Sequence, residues 1–252
     1  MKQINDGIIA FFDGYVKIIN TLDKIVCGAY KLADVLSQID FSCISQNIKD
    51  AGERWGNFKW IPNLPNTIMK DIFKNITEEV TKEEADIFMS EKLDEKTEEL
   101  LFSTIRDYLC DYQRNVVTFD EALQCFRSGL HTSCCVCLFA LIDEAFLKAQ
   151  KIDTCGKKYR SLSNKAAEKF YDENPANHFN FIAVALKTAI VNIFKAGNDF
   201  VVSDDDLYRN YISHGMNERK PDKTDCLKLF VILYNVYFAF EHSIYIKEDG
   251  ES

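Results

Sequence analysis

The segment TSCCVCLFALIDEAFLKAQ, residues 132–150, decides the fold class, because it is almost wholly apolar until Asp143 and Glu144. It contains no glycine or proline, so it predicts a central, buried helix. No stretch of about 18 uncharged apolar residues occurs in the chain, and the sequence therefore predicts no membrane span.

The sequence on both sides of this segment also favours helices. Only 10 Gly and 4 Pro occur in 252 residues, which argues against a many-turned β-sandwich or barrel. Thr118 and Glu121 form the pattern of a capping box, and Ser203 is expected to cap a short helix that ends at Gly215. Gly129 indicates a turn or a close approach of two helices. Further helices are expected at 4–40, 161–171, 180–196 (closed by Gly197) and 225–246.

We therefore expect an all-α fold, an antiparallel helical bundle with an N-terminal helical extension. The clearest interruption is 50–66, which holds two Gly, two Pro and both Trp. It suggests an N-terminal unit and linker at 1–65, connecting helices at 66–97 and the bundle at 98–252. Trp55 and Trp60 are expected to hold the linker on the body, and a ligand platform is the alternative.

Charge and cysteine content restrict the class of function. The net charge of −9 argues against binding nucleic acid through bulk charge, although a small basic site remains compatible with it. The nine Cys lack framework spacing and the chain opens without a secretory signal, so we expect a cytoplasmic protein whose Cys are mostly core residues.

Neither a metal nor a cofactor is expected. A metal site would draw on His131, Cys134, Cys135 and Cys137, but these lie on or beside the predicted buried helix, without a second CxxC pair. The sequence also lacks the motifs GxxxxGK[ST], GxGxxG, HExxH and GxSxG.

The segment RNYISH, residues 209–214, carries the strongest chemical signal. A His with a pKa near 6.5 can take or give a proton in transit, and an Arg guanidinium can hold phosphate oxygens. Five positions on a regular helix separate Arg209 and His214 by about 140°. They can serve one phosphate only if the helix ends between them, which Gly215 permits, or if a second copy completes the site.

This R-x4-H pattern, with Asn210 directly after the Arg and a long apolar helix to follow, resembles the HEPN superfamily of ribonucleases over roughly 98–248. The resemblance implies a metal-independent endoribonuclease that leaves a 2′,3′-cyclic phosphate and a 5′-OH. Arg209 would stabilise the phosphate, His214 would transfer the proton and Asn210 would support them. It also implies a homodimer with a composite site, and a toxin or anti-phage effector, with an antitoxin or activator as a possible partner.

Weaker candidates surround this segment. The possible supporting residues are Glu144, at the end of the apolar run, and Tyr211 and Ser213, within the motif. The basic residues just beyond it are candidates for contact with an RNA backbone: Arg219, Lys220 and Lys223. Each of these six has an ordinary structural interpretation as a packing, surface or helix-end residue.

Two other interpretations of the motif remain open. The chain can be a non-catalytic helical module that holds a protein partner or a nucleotide. Alternatively, Arg209 can pair with the aspartates one turn back while His214 stabilises the end of its helix.

Overall fold

The computed structural model describes residues 41–66, 79–149, 181–195, 207–216 and 219–243. Within these ranges all the regular structure is helical, which confirms the all-α prediction. The helices are α1 (Phe41–Asn57), α2 (Lys82–Lys92), α3 (Glu95–Asp111), α4 (Val116–Arg127), α5 (His131–Ala149), α6 (Phe181–Ile193), α7 (Arg209–Ser213) and α8 (Lys223–Ser243). The helices predicted at 4–40 and 161–171, together with Gly197 and Ser203, lie outside the described residues.

Helices α5 and α8 form the centre of the core. Helix α5 confirms the buried helix predicted from the apolar run, and α8 begins two residues before the predicted 225. They pack against each other, and α8 also contacts α3 and α6. The side chains at this centre are large and almost inaccessible to water, among them Phe139, Phe146 and Phe230. Their burial is the main stabilising contribution to the bundle.

Short turns join α3, α4 and α5, so these packed neighbours run antiparallel. Gly129 has a φ of 72° in the turn before α5, as its predicted turn requires. The predicted capping box at Thr118 was wrong. Helix α4 begins at Val116, because the side chain of Asn115 accepts a hydrogen bond from the Thr118 amide at 3.0 Å.

Helices α1 and α6 pack closely, because α1 presents two glycines to α6. A Cβ atom at Gly52 would lie 2.8 Å from the side chain of Val184, and one at Gly56 would lie 2.5 Å from the carbonyl oxygen of Ala185. Both distances are shorter than side chains tolerate. The contact therefore depends on glycine at these two positions.

The segment after α1 belongs to the same core as the bundle. Trp55 and Trp60 are almost completely buried in it, as expected of residues that hold the segment on the body, and their burial leaves no open ligand platform. The predicted divisions at 65/66 and 97/98 stay predictions. The second of them falls inside α3.

Buried polar groups fix this segment to α8. Asn63 Nδ2 donates to Asn235 Oδ1 at 2.8 Å, and Asn235 Nδ2 donates to the Asn63 carbonyl at 3.0 Å. Asp86 accepts from the Trp60 indole at 2.6 Å and pairs with Lys228 Nζ at 2.7 Å. Because these groups are mutually satisfied, their burial is compatible with a stable core.

Membrane insertion finds no support in this part of the chain. None of the helices in the described ranges combines the length and the apolar character needed to cross a bilayer.

Candidate active site

Helix α7 carries the R-x4-H segment and packs on α5. It starts later than predicted: Tyr208 is its N-cap residue, in an extended conformation, and makes no side-chain cap hydrogen bond. The prediction of one unbroken helix from Ser203 to Gly215 was therefore wrong, because residues 207 and 208 are not helical. The buried side chains of Leu207, Tyr211 and Ile212 hold this short helix against the body.

The helix ends at His214, as Gly215 permits. His214 is the C-cap residue, with φ −102° and ψ 4°, and its amide donates to the Asn210 carbonyl at 3.2 Å. Gly215 follows with a φ of 66°, in the left-handed region that glycine adopts most readily. The His214 side chain is exposed, so its imidazole is accessible to a ligand.

Arg209 stands at the opposite end of the same helix and is half-buried. Five residues correspond to a rise of about 7.5 Å along the axis. Arg209 Nη1 donates a long hydrogen bond, 3.4 Å, to Asn210 Oδ1. The predicted pair of Arg209 and Asn210 is thus in contact, with His214 one helix length away.

Asp143 on α5 is the acidic residue that faces Arg209. Burial raises the pKa of the Asp143 carboxyl. The positive charge of Arg209 acts in the opposite direction, and the effect of burial is the larger of the two. Sequence reasoning selected Glu144 instead. Glu144 acts on Tyr237 of α8, where its charge helps to raise the pKa of the phenol after the larger effect of burial. Successive residues of a helix point about 100° apart, which explains the difference.

The two other supporting candidates have different environments. Tyr211 is buried, and its ring meets that of Tyr208 edge-on with centroids 5.9 Å apart. Ser213 is exposed. Tyr211 therefore packs α7 on the body, whereas the Ser213 hydroxyl lies at the surface beside His214.

Sequence reasoning missed Lys59. This residue follows α1 with a φ of 61°, is almost completely buried, and places its Nζ 5.4 Å from the centroid of the Tyr208 ring. A cation over an aromatic face is an attractive contact. It brings a second positive charge to the start of α7, and no local pattern could have shown this contact across the chain.

The basic residues beyond the motif are held differently. Arg219 forms a two-point ion pair with Asp225, with N–O distances of 2.8 and 3.0 Å, and Lys223 pairs with Glu98 at 2.7 Å. Lys220 is exposed. Contact of these residues with an RNA backbone stays a prediction, and for Arg219 and Lys223 it would compete with carboxylates of the chain itself.

A separate cleft of about 530 Å³ lies between α3 and α4 and contains no residue of the R-x4-H segment. Its floor includes Phe102 and Phe119. Two ion pairs cross it, between Arg106 and Asp120 and between Arg127 and Glu99. Their arginines are therefore already engaged with carboxylates.

A search of the described ranges finds no group of three or more His, Cys, Asp or Glu side chains arranged to hold a metal ion. Comparison of the chain with protein-family models, curated proteins and solved structures finds no match.

Proposed function

We propose that the chain is a metal-independent endoribonuclease of the HEPN type. The observation that carries the proposal is the placement of Arg209 and His214 at the two ends of one short helix, which Gly215 closes. The His side chain is exposed and the Arg side chain is partly exposed, so an extended polyanion such as RNA can reach both.

The reaction needs only groups of the RNA and of this helix. The 2′-OH attacks the adjacent phosphorus and the bond to the 5′ oxygen of the next nucleotide breaks, which yields a 2′,3′-cyclic phosphate and a 5′-OH. His214 moves the proton, and the Arg209 guanidinium offsets the charge that develops on the non-bridging oxygens. Asn210, in contact with Arg209, orients the guanidinium.

A second copy of the chain would complete the site. A two-fold interface places the same patch opposite itself, so an Arg209 from one copy can lie near a His214 from the other. In such a composite site, one phosphate can contact an Arg209 and a His214 even though these residues lie at opposite ends of α7 in each copy. We therefore propose a homodimer as the active form.

The test is cleavage of total RNA and of a short labelled oligonucleotide by the purified chain in EDTA. The expected result is cleavage with cyclic phosphate ends, lost in His214→Ala. His131→Ala is the matched control, because His131 lies at the start of α5 beside Phe126, outside helix α7. It should cleave like the unmodified chain.

Three results would contradict the proposal. Cleavage that requires a divalent metal contradicts the metal-independent mechanism, and cleavage that persists in a folded His214→Ala variant removes the assigned role of His214. No cleavage by a well-folded dimer would instead favour a helical module that holds a protein partner or a nucleotide.

The biological setting proposed with this activity is a toxin or anti-phage effector that degrades RNA in the cytoplasm, under the control of an antitoxin or activator. Expression of the chain in bacteria, with and without His214→Ala, tests it. Growth arrest that the substitution abolishes would support the toxin role, and equal growth of both strains would contradict it.

A further inference from the structure

Three thiols meet where α5 and α8 begin. Cys134 and Cys135 lie in the second turn of α5, and Cys226 lies in the first turn of α8. The Sγ atoms of Cys135 and Cys226 are 3.7 Å apart, across 91 positions of sequence, and Cys226 Sγ lies 3.5 Å from the carbonyl oxygen of His131. All three side chains are fully buried.

The surroundings of Cys226 favour its thiolate. Hydrogen bonds donated by the Cys134 and Cys135 thiols lower the pKa of Cys226 well below its ordinary value, whereas burial and the charge of Asp225 raise it. When Cys226 is protonated, its thiol donates to the His131 carbonyl. The same hydrogen bonds, together with burial, raise the pKa values of Cys134 and Cys135. The starts of two helices add partial positive charge. Of the three thiols, Cys226 is therefore the one whose surroundings most favour loss of its proton.

The cluster lies one helical turn below the surface. Thr132 and Ser133, which precede it on α5, are exposed, and so is Lys223 at the start of α8. Because the three thiols are fully buried, a peroxide reaches Cys226 only through a local opening, and these two helix ends are the nearest exposed part of the chain along α5 and α8.

We propose that Cys226 is an oxidation site that reacts with a peroxide and is then joined to Cys135 by a disulfide bond. This inference is independent of the ribonuclease proposal, because it requires neither Arg209 nor His214.

Oxidation of Cys226 and formation of the disulfide are two separate steps. The Cys226 thiolate attacks hydrogen peroxide, the O–O bond breaks, and the sulfur becomes a sulfenic acid while the departing hydroxide takes up a proton as water. The Cys135 sulfur then attacks the Cys226 sulfur, the S–O bond breaks, and the oxygen leaves as a second water with the Cys135 proton. Two thiols and one peroxide thus give one disulfide and two waters. The sulfur atoms must approach from 3.7 Å to about 2.05 Å.

The test treats the reduced full chain with hydrogen peroxide, blocks the remaining thiols with N-ethylmaleimide, and digests it without reduction for mass spectrometry. We expect a peptide pair linked through Cys135 and Cys226 that dithiothreitol separates. Cys110, exposed on α3, is the internal control. Absence of the linked pair, or a link from Cys226 to another Cys, overturns the proposal.

Variants separate the two steps. With Cys134 and Cys135 both replaced by Ser, whose hydroxyls can still donate to Cys226 but cannot form a disulfide, the sulfenic acid on Cys226 should persist and react with dimedone. Cys110→Ala, the matched control, should still form the disulfide. Thermal melts confirm that each variant is folded. If a folded double variant gives no dimedone adduct on Cys226 after peroxide treatment, Cys226 is not the peroxide-reactive sulfur.

Discussion

Two arginines close together in sequence, Arg209 and Arg219, are held in opposite ways. The guanidinium of Arg219 is fixed by two short contacts with the buried carboxylate of Asp225, and Asp222 adds a third contact at 3.4 Å. The guanidinium of Arg209 makes one long hydrogen bond to the amide of its neighbour Asn210. The carboxylate that faces it, Asp143, lies in a buried setting that disfavours its charge.

The difference separates a structural cation from one suited to a ligand. Two N–H groups of the Arg219 guanidinium donate to the two carboxylate oxygens of Asp225, so Arg219 stabilises the start of α8. Within the described ranges, the hydrogen bond of Arg209 is to a neutral amide, which leaves most of its charge to interact with another anion. Of the positions that the sequence analysis assigned to phosphate or RNA, Arg209 therefore has the environment that fits the role best.

Loss of the Arg209 guanidinium should produce the largest effect. Arg209→Ala is expected to lower kcat/KM for cleavage of a short RNA in EDTA by about 10²–10³-fold, as for removal of one group that stabilises the transition state. Arg209→Lys should recover only part of the loss, because an ammonium cannot hold two phosphate oxygens in the same plane. Arg127→Ala, in the distant cleft, is the control. An Arg209→Ala variant as active as that control would refute the assigned role.

Removal of Arg219 should instead affect stability. Arg219→Ala leaves the Asp225 carboxylate buried without its cation, and the free energy of unfolding should fall by about 2 kcal/mol in urea titration. Arg209→Ala should change it by less than about 0.5 kcal/mol. Equal losses of stability for the two variants would contradict the contrast between a structural and a ligand-binding arginine.

The smallest effect concerns Asp143. Burial raises the pKa of its carboxyl in the folded protein, so the folded chain retains this proton to higher pH than the unfolded chain does. The resulting contribution to stability is present below the unfolded pKa and is lost as pH rises through the folded pKa. Asp143→Asn cannot titrate, so the stability of the unmodified chain relative to this variant should decrease between pH 3.5 and pH 7. A constant difference would show that Arg209 cancels the effect of burial, and a difference that increases with pH would show that Arg209 outweighs it.

Local patterns predicted the long helices well and the contacts between them poorly. The apolar runs were sufficient for α5, α6 and α8, because burial on all sides leaves a continuous apolar signal. The start of α4 was misplaced because Asn115 and Thr118 are both good cap residues and only one occupies the cap.

The distant contacts had no sequence signal. The pairing of Cys135 with Cys226, of Asn63 with Asn235 and of Lys59 with Tyr208 depends on which helices become neighbours. Gly215 correctly indicated where the short helix ends, because glycine readily adopts the positive φ that follows the C-cap residue His214. Predicting that Asp143 rather than Glu144 faces Arg209 would have required the orientation of α5 about its own axis, which the sequence does not show.

The glycine contact between α1 and α6 also joins two helices that are synthesised far apart in time. Asn192 of α6 donates to Asn57 of α1 at 2.9 Å across 135 positions, whereas α4 and α5 are joined by a short turn. Contacts between neighbouring helices can form as soon as both have been synthesised, but α1 must wait for α6. At about 5–20 residues per second, that delay is on the order of ten seconds on the ribosome. During this interval the face of α1 that carries Gly52 and Gly56 lacks its partner helix, so the nascent chain exposes a surface that the folded protein buries.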